Sequence, residues 1–150
     1  MAITSNVHQF GTQDTVSAGG GTSAVAAGSK SVQADVIPWT NDDDAPEASF
    51  VLGGATYATA PSAYATVSLF ARLLNVDSTN DSEQPDANYD GIWLGDFKLN
   101  DVTTAQYPTV DAKLPNAGAS QEYEFYIRNN DATQSMSAGW TLKVTPRSRG

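Results

Sequence analysis

Cysteine is absent from the 150 residues, and histidine occurs once, at His8. The first absence removes disulfides, thiol catalysis and thiolate metal sites. A domain without such staples is held by its core or by partner subunits. Basic residues are scarce: Lys and Arg number 8 against 17 Asp and Glu, a formal charge of −9. Phosphate recognition needs a basic surface, so nucleic acid is not an expected partner. The same charge disfavours anionic membranes, and no apolar run approaches the roughly 20 residues of a bilayer-spanning helix. The opening MAITSNVHQFG has neither a basic n-region nor an apolar h-region. A secretory leader is therefore not expected, and synthesis in a cytoplasm is.

Catalytic patterns are equally thin. A general base needs a supporting shell within hydrogen-bond reach of its substrate, and His8 lies in a segment with none evident. No nucleophile elbow is present, and the glycines of GGATYATAPS lack the Gly-Lys-Ser/Thr of a phosphate loop. Carboxylates cluster at Asp42, Asp43 and Asp44 and again from Asp77 to Asp90, but beside Asn, Ser and Gly. Such stretches read as turns rather than the rigid elements that glycoside hydrolysis requires. An enzyme is not expected.

What is present is strand rhythm. Hydrophobic residues make up 40% of a chain long enough for one real core. Residues 1–28 read as an extended Gly/Ser/Ala-rich arm, with Ile3, Val7, Phe10 and Val16 as scattered apolar anchors for a partner. Ordering such a stretch costs much entropy for little burial, and a neighbouring subunit is the simplest thing to order it. Residues 29–150 read as a β-sandwich domain. SVQADVIPW alternates as a strand and ASFVLGG forms a short one. In residues 62–76 the letters tolerate a helix, but Val67, Leu69, Ala71 and Leu73 alternate, which favours a strand.

Residues 77–91 are a polar connection. IWLGDFKLN follows, with Ile92, Leu94 and Asp96 expected to oppose Trp93, Gly95 and Phe97, and Gly95 marking a bulge. TAQYPTVDAKL reads as a weak or edge strand. QEYEFYIRNN points Tyr123, Phe125 and Ile127 one way, and WTLKVTP does the same with Trp140, Leu142 and Val144. No helix pattern competes. The expected fold is all-β: an antiparallel β-sandwich, jelly-roll-like, with an extended N-terminal arm.

DANYDG, residues 86–91, has the opening of a calcium loop. Asp86, Asn88 and Asp90 offer side-chain oxygens at the first, third and fifth positions, and Gly91 permits the turn at the sixth. The twelfth position, where the bidentate Glu belongs, is Phe97. The stretch therefore reads first as an acidic turn, with a looser calcium site as the alternative. Otherwise no cofactor is expected. Charge is also uneven: from Asp35 to Asp101 there are twelve acids against Arg72 and Lys98, while PRSRG at the end is basic.

Together SVQADV, the central ATVSLFARLLNVDSTN…YDG, WLGDFKL and the closing EYEFYIRNNDATQSMSAGWTLKVTP span roughly residues 30–146. This succession resembles small β-sandwich virion proteins of tailed bacteriophages, whose late strands often read FxFYxxN…G…SAGxTLxxxP. The resemblance rests on strand rhythm and composition rather than a chemical motif. It implies a structural role, most simply a capsid decoration or cement protein on the virion surface. It further implies the major capsid protein as partner and self-association into a homo-oligomer, and it carries over no catalytic residues. The alternatives are a tail or fibre component, or a carbohydrate-binding β-sandwich whose exposed aromatics, among Tyr57, Tyr64, Tyr89, Trp93 and Tyr107, stack on sugar rings.

Overall fold

A computed structural model describes residues 8–149. Nine strands form in chain order: β1 (His8–Phe10), β2 (Asp14–Thr15), β3 (Trp39–Thr40), β4 (Glu47–Gly53), β5 (Thr66–Leu74), β6 (Ile92–Lys98), β7 (Thr109–Lys113), β8 (Glu122–Asn129) and β9 (Thr141–Arg149). They make two antiparallel sheets. One runs β1-β9-β4-β7, with β2 also on β9, and the other runs β3-β8-β5-β6. If β1 and β2 are taken as one interrupted strand, every connection but β5–β6 passes from one sheet to the other. That wrapping is the jelly roll.

The interruption has a local cause. Pro146, in the middle of β9, has no N–H to give a neighbour. The first strand departs from β9 at Gly11, whose N–H donates to the Pro146 carbonyl at 2.8 Å, and rejoins it at Asp14. A Cβ on Gly11 would sit 2.6 Å from the proline ring, so the close approach needs glycine.

Alternation supplies the core. Ala48, Phe50 and Leu52 of β4 and Leu142 and Val144 of β9 face Val67, Leu69 and Ala71 of β5 and Tyr123, Phe125 and Ile127 of β8. Fully burying a large apolar side chain contributes about 1.5–3 kcal/mol. At the centre Phe50 meets Phe125 edge-on at 4.9 Å, Tyr123 stacks on Phe125 at 5.6 Å, and Trp39 lies 6.0 Å from both. Within residues 62–76, Thr66–Leu74 form the strand β5, in the middle of its sheet.

Three expectations need correction. Residues 8–28 are extended, but they lie on this chain's own sandwich rather than forming a separate arm. Val16 is 1% exposed in the core, its N–H bonded to the Leu142 carbonyl, and Val25 bridges to Met136. Val16 is thus a core residue and not an external anchor. Phe10 is the outward one, 63% exposed, and Ile3 and Val7 lie outside the described residues. Second, the strand expected at SVQADVIPW is broken by a 3-10 turn, Gln33–Asp35. Asp35 is buried and its carboxylate accepts the Ser23 N–H at 3.1 Å, a bond that pulls the segment out of strand geometry.

Third, β6 changes phase. Its register against β5 slips between Leu69 and Phe70: Leu69 pairs with Gly95, but Phe70 pairs with Trp93, leaving Leu94 as the extra residue. The bulge puts Trp93 and Asp96 on the same, outer face, while Phe97 points into the core. The polar connection 75–91 folds back over the outer face of β5 and β8. Beneath it Phe70, Glu124 and Tyr126 are buried, and Arg72 bonds Glu124 at 2.6 Å and the Ser82 carbonyl at 3.0 Å. Burial, with the Glu124 charge adding, pushes the Tyr126 hydroxyl up to about 12.

If residues 8–28 are part of the sandwich, Val16→Ala removes buried core volume and lowers unfolding free energy by about 2 kcal/mol. Urea denaturation measures it. An unchanged midpoint would mean that this segment does not pack as described.

Candidate functional site

The jelly-roll wrapping sends alternate connections to opposite ends of the sandwich. Residues 16–29, 54–65, 99–108 and 130–140 gather at one end. Backbone bridges join them: Val25 to Met136, Tyr57 to Met136, and Ala55 to Gln106. Side chains complete the ties. Thr22 Oγ1 donates to the Trp140 carbonyl at 2.6 Å, and the Trp140 indole N–H returns a bond to the Ser23 carbonyl at 2.9 Å. Asn129, fully buried, accepts from the Tyr57 hydroxyl at 2.9 Å and donates to the Val25 and Gln134 carbonyls.

Asp131 holds the assembly. It is 2% exposed, yet its carboxylate is met by three backbone donors: Ser62 N–H at 2.8 Å, Gln134 N–H at 2.7 Å and Thr133 N–H at 3.1 Å. These bonds, the Ser62 one foremost, hold its carboxyl at about 2 against an ordinary 3.8. Burial, and then the nearby Asp131 charge, push the Tyr57 hydroxyl up to about 12.

The surface that this framework carries is unusual for so acidic a chain. Residues 16–29 and 54–65 contain no charged side chain, and Asp101 is the one exposed charge in 99–108 and 130–140. Gly, Ala, Ser and Thr predominate among the exposed residues, beside Asn100, Val102 and Asn130, and two aromatics stand out: Tyr64, 95% exposed, and Tyr107, 68% exposed. Tyr64 adopts φ 64°, a left-handed conformation that is an outlier for a bulky side chain. It sits in a tight turn, Ala65 N–H to Ser62 carbonyl, pinned beneath by Asp131. Strain of this kind persists where the surroundings over-determine it. The opposite end carries Asp42, Asp43 and Asp44, all exposed. The covering connection adds Asp77, Asp81, Glu83 and Asp86 to the acidic surface.

The residues of the calcium-loop reading are placed differently. Asp86 closes its own turn, accepting the Asn88 and Tyr89 N–H groups at 2.7 and 2.9 Å. Asp90 is taken by Lys30 at 2.5 Å and Arg128 at 3.3 Å, and the Lys30 bond holds its carboxyl below the usual range. Asn88 is exposed. Among the described residues no group of three or more His, Asp and Glu side chains is placed to hold a metal ion. Sequence reasoning passed over Asp131 and named Tyr64 only as one of several aromatics that could stack on sugar rings. The available signal was the pair of long uncharged runs, 16–29 and 54–65, in a chain of charge −9.

Comparison with family models, curated proteins and solved structures finds no match.

The Asp131 junction gives a signed pH dependence. Its folded pKa lies below the unfolded one, so its contribution is complete above about pH 4 and is lost as the pH falls through about 2. Asp131→Asn turns an amide N–H group toward backbone donors and costs about 1–3 kcal/mol at pH 7. Urea titrations should show the gap between wild type and variant closing between about pH 4 and pH 2. A gap independent of pH would place the carboxylate outside this role.

Proposed function

We propose that the chain is a virion structural protein of tailed-bacteriophage type. In this reading it is a decoration or cement protein that seats on the outer surface of the major capsid protein lattice and stabilises it. One observation carries the reading: charge is segregated along the long axis of the sandwich, with a neutral, aromatic-tipped end opposite an acidic one. A neutral surface of small residues desolvates cheaply on docking, whereas buried unpaired charges cost several kcal/mol each. Tyr64 and Tyr107 supply the rigid aromatic anchors on which interface energy concentrates. Small polar loops around tyrosines are also the composition that antibody paratopes use to fit protein surfaces.

The acidic end then faces solvent and keeps neighbouring copies from aggregating while they share the lattice. Binding only the assembled shell, the protein stabilises it by linkage. The jelly roll itself is shared by viral capsid and lectin domains, so the fold supports this role by analogy alone. The resemblance over residues 30–146 points the same way.

The test is occupancy on purified particles. Ala63→Asp with Tyr64→Ser should leave the thermal midpoint nearly unchanged, because both positions are exposed, and lower capsid occupancy by about tenfold or more. Asp42→Ser with Asp43→Ser, at the other end, should leave occupancy intact. Equal binding by all variants would overturn the assignment of the neutral end. Cryo-electron microscopy density confined to the tail would overturn the capsid role.

A further inference from the structure

The connection 75–91 covers only part of the outer face of the second sheet, and the open part carries a hydrogen-bonded strip. Trp93 Nε1 donates to Asp96 Oδ1 at 3.0 Å, and Ser68 Oγ donates to the same oxygen at 2.6 Å. Asn130 Nδ2 in turn donates to Ser68 Oγ at 2.7 Å and to Thr66 Oγ1 at 3.0 Å. The strip thus runs from β6 across β5 to the end of β8. The β6 bulge makes it possible: residues three apart in a regular strand face opposite ways, and the extra Leu94 brings Trp93 and Asp96 to one face.

Trp93 is the exposed tryptophan of the chain. Its indole is 59% exposed, against 6% for Trp39 and 2% for Trp140. Leaving an indole in water forgoes a large burial term, and its Asp96 bond fixes the ring orientation. Asp96 Oδ2 accepts no bond from the described residues. A flat, fixed aromatic is therefore set beside pre-ordered hydroxyl, amide and carboxylate groups. A protein hot spot would enclose the tryptophan in an apolar, desolvated surround; here it bonds Asp96, and through it joins a strip of Ser68, Asn130 and Thr66.

We infer that this strip binds carbohydrate. A pyranose presents a face of C–H groups to the indole and a rim of hydroxyls to the polar strip, where Asp96 Oδ2 is an open acceptor. The formal charge of −9 repels anionic polymers, so the ligand class is a neutral glycan. The site is separate from the neutral loop end, and a decoration protein carrying it presents a sugar-binding face to the surroundings of the particle.

Because the other two tryptophans are buried, the part of the fluorescence that acrylamide quenches reports on Trp93. The chain is titrated with maltohexaose, cellohexaose and neutral mannan and galactan oligosaccharides, with heparin and alginate as anionic controls. At least one neutral probe should blue-shift the emission and protect it from acrylamide quenching, with a Kd below about 1 mM. Trp93→Ala, read by calorimetry, should weaken that binding by about tenfold or more, and Asp96→Asn less, with thermal midpoints unchanged. No response to any neutral probe overturns the inference. So does binding of the anionic polymers alone, or binding that survives Trp93→Ala.

Discussion

The wrapping of the chain between two sheets is the constraint from which the other features follow. Its turns fall alternately at the two ends of the sandwich, so a property that alternates from one connection to the next becomes a difference between ends. Over the first four connections charge alternates in that way: residues 16–29 are neutral, 41–46 acidic, 54–65 neutral, and 75–91 acidic, while 114–121 carries none. Read linearly, those segments look like unrelated low-complexity loops. Folded, they become one neutral end facing away from an acidic one. The wrapping also decides which backbone groups lack partners, and the long-range ties between loops answer that need.

Those ties occupy the place that disulfides hold in many loop-rich domains. Asp35, Asn129 and Asp131 are almost wholly buried, and each accepts a bond from a backbone donor or buried hydroxyl of a sequence-distant segment. A buried carboxylate is costly unless hydrogen-bonded; once bonded it tolerates little displacement, and that rigidity is what lets Tyr64 stand exposed in a strained conformation. Glu124 does the same beneath the covering connection, where Arg72 meets it.

Much of the sandwich was legible from period alone. Tyr123, Phe125 and Ile127, and Leu142 and Val144, sit on the faces their alternation indicated, because strands buried on one side declare themselves every second residue. Misreadings arose where a single polar contact or an extra residue overrides period. Asp35 breaks a strand that Val32, Ala34 and Val36 spell out. Leu94 reverses the faces expected for Trp93, Asp96 and Phe97. Val16 and Val25 pack as isolated points rather than along a strand, so no period marks their burial. The neutral end was legible as composition, but its gathering into one surface depends on which loops the topology brings together. The calcium-loop letters were real, yet Asp90 answers to Lys30 and Arg128, partners 60 and 38 residues away.

The pairing of the first strand with the last has a practical bearing. His8 lies opposite Arg149, and the neighbouring residues Gly11 and Pro146 pack beside Asp43. Both ends of the described chain therefore leave the sandwich at one corner, on the acidic side and remote from the neutral loops. Peptides carried at the two ends of the described chain would start side by side, at the corner away from the neutral loops.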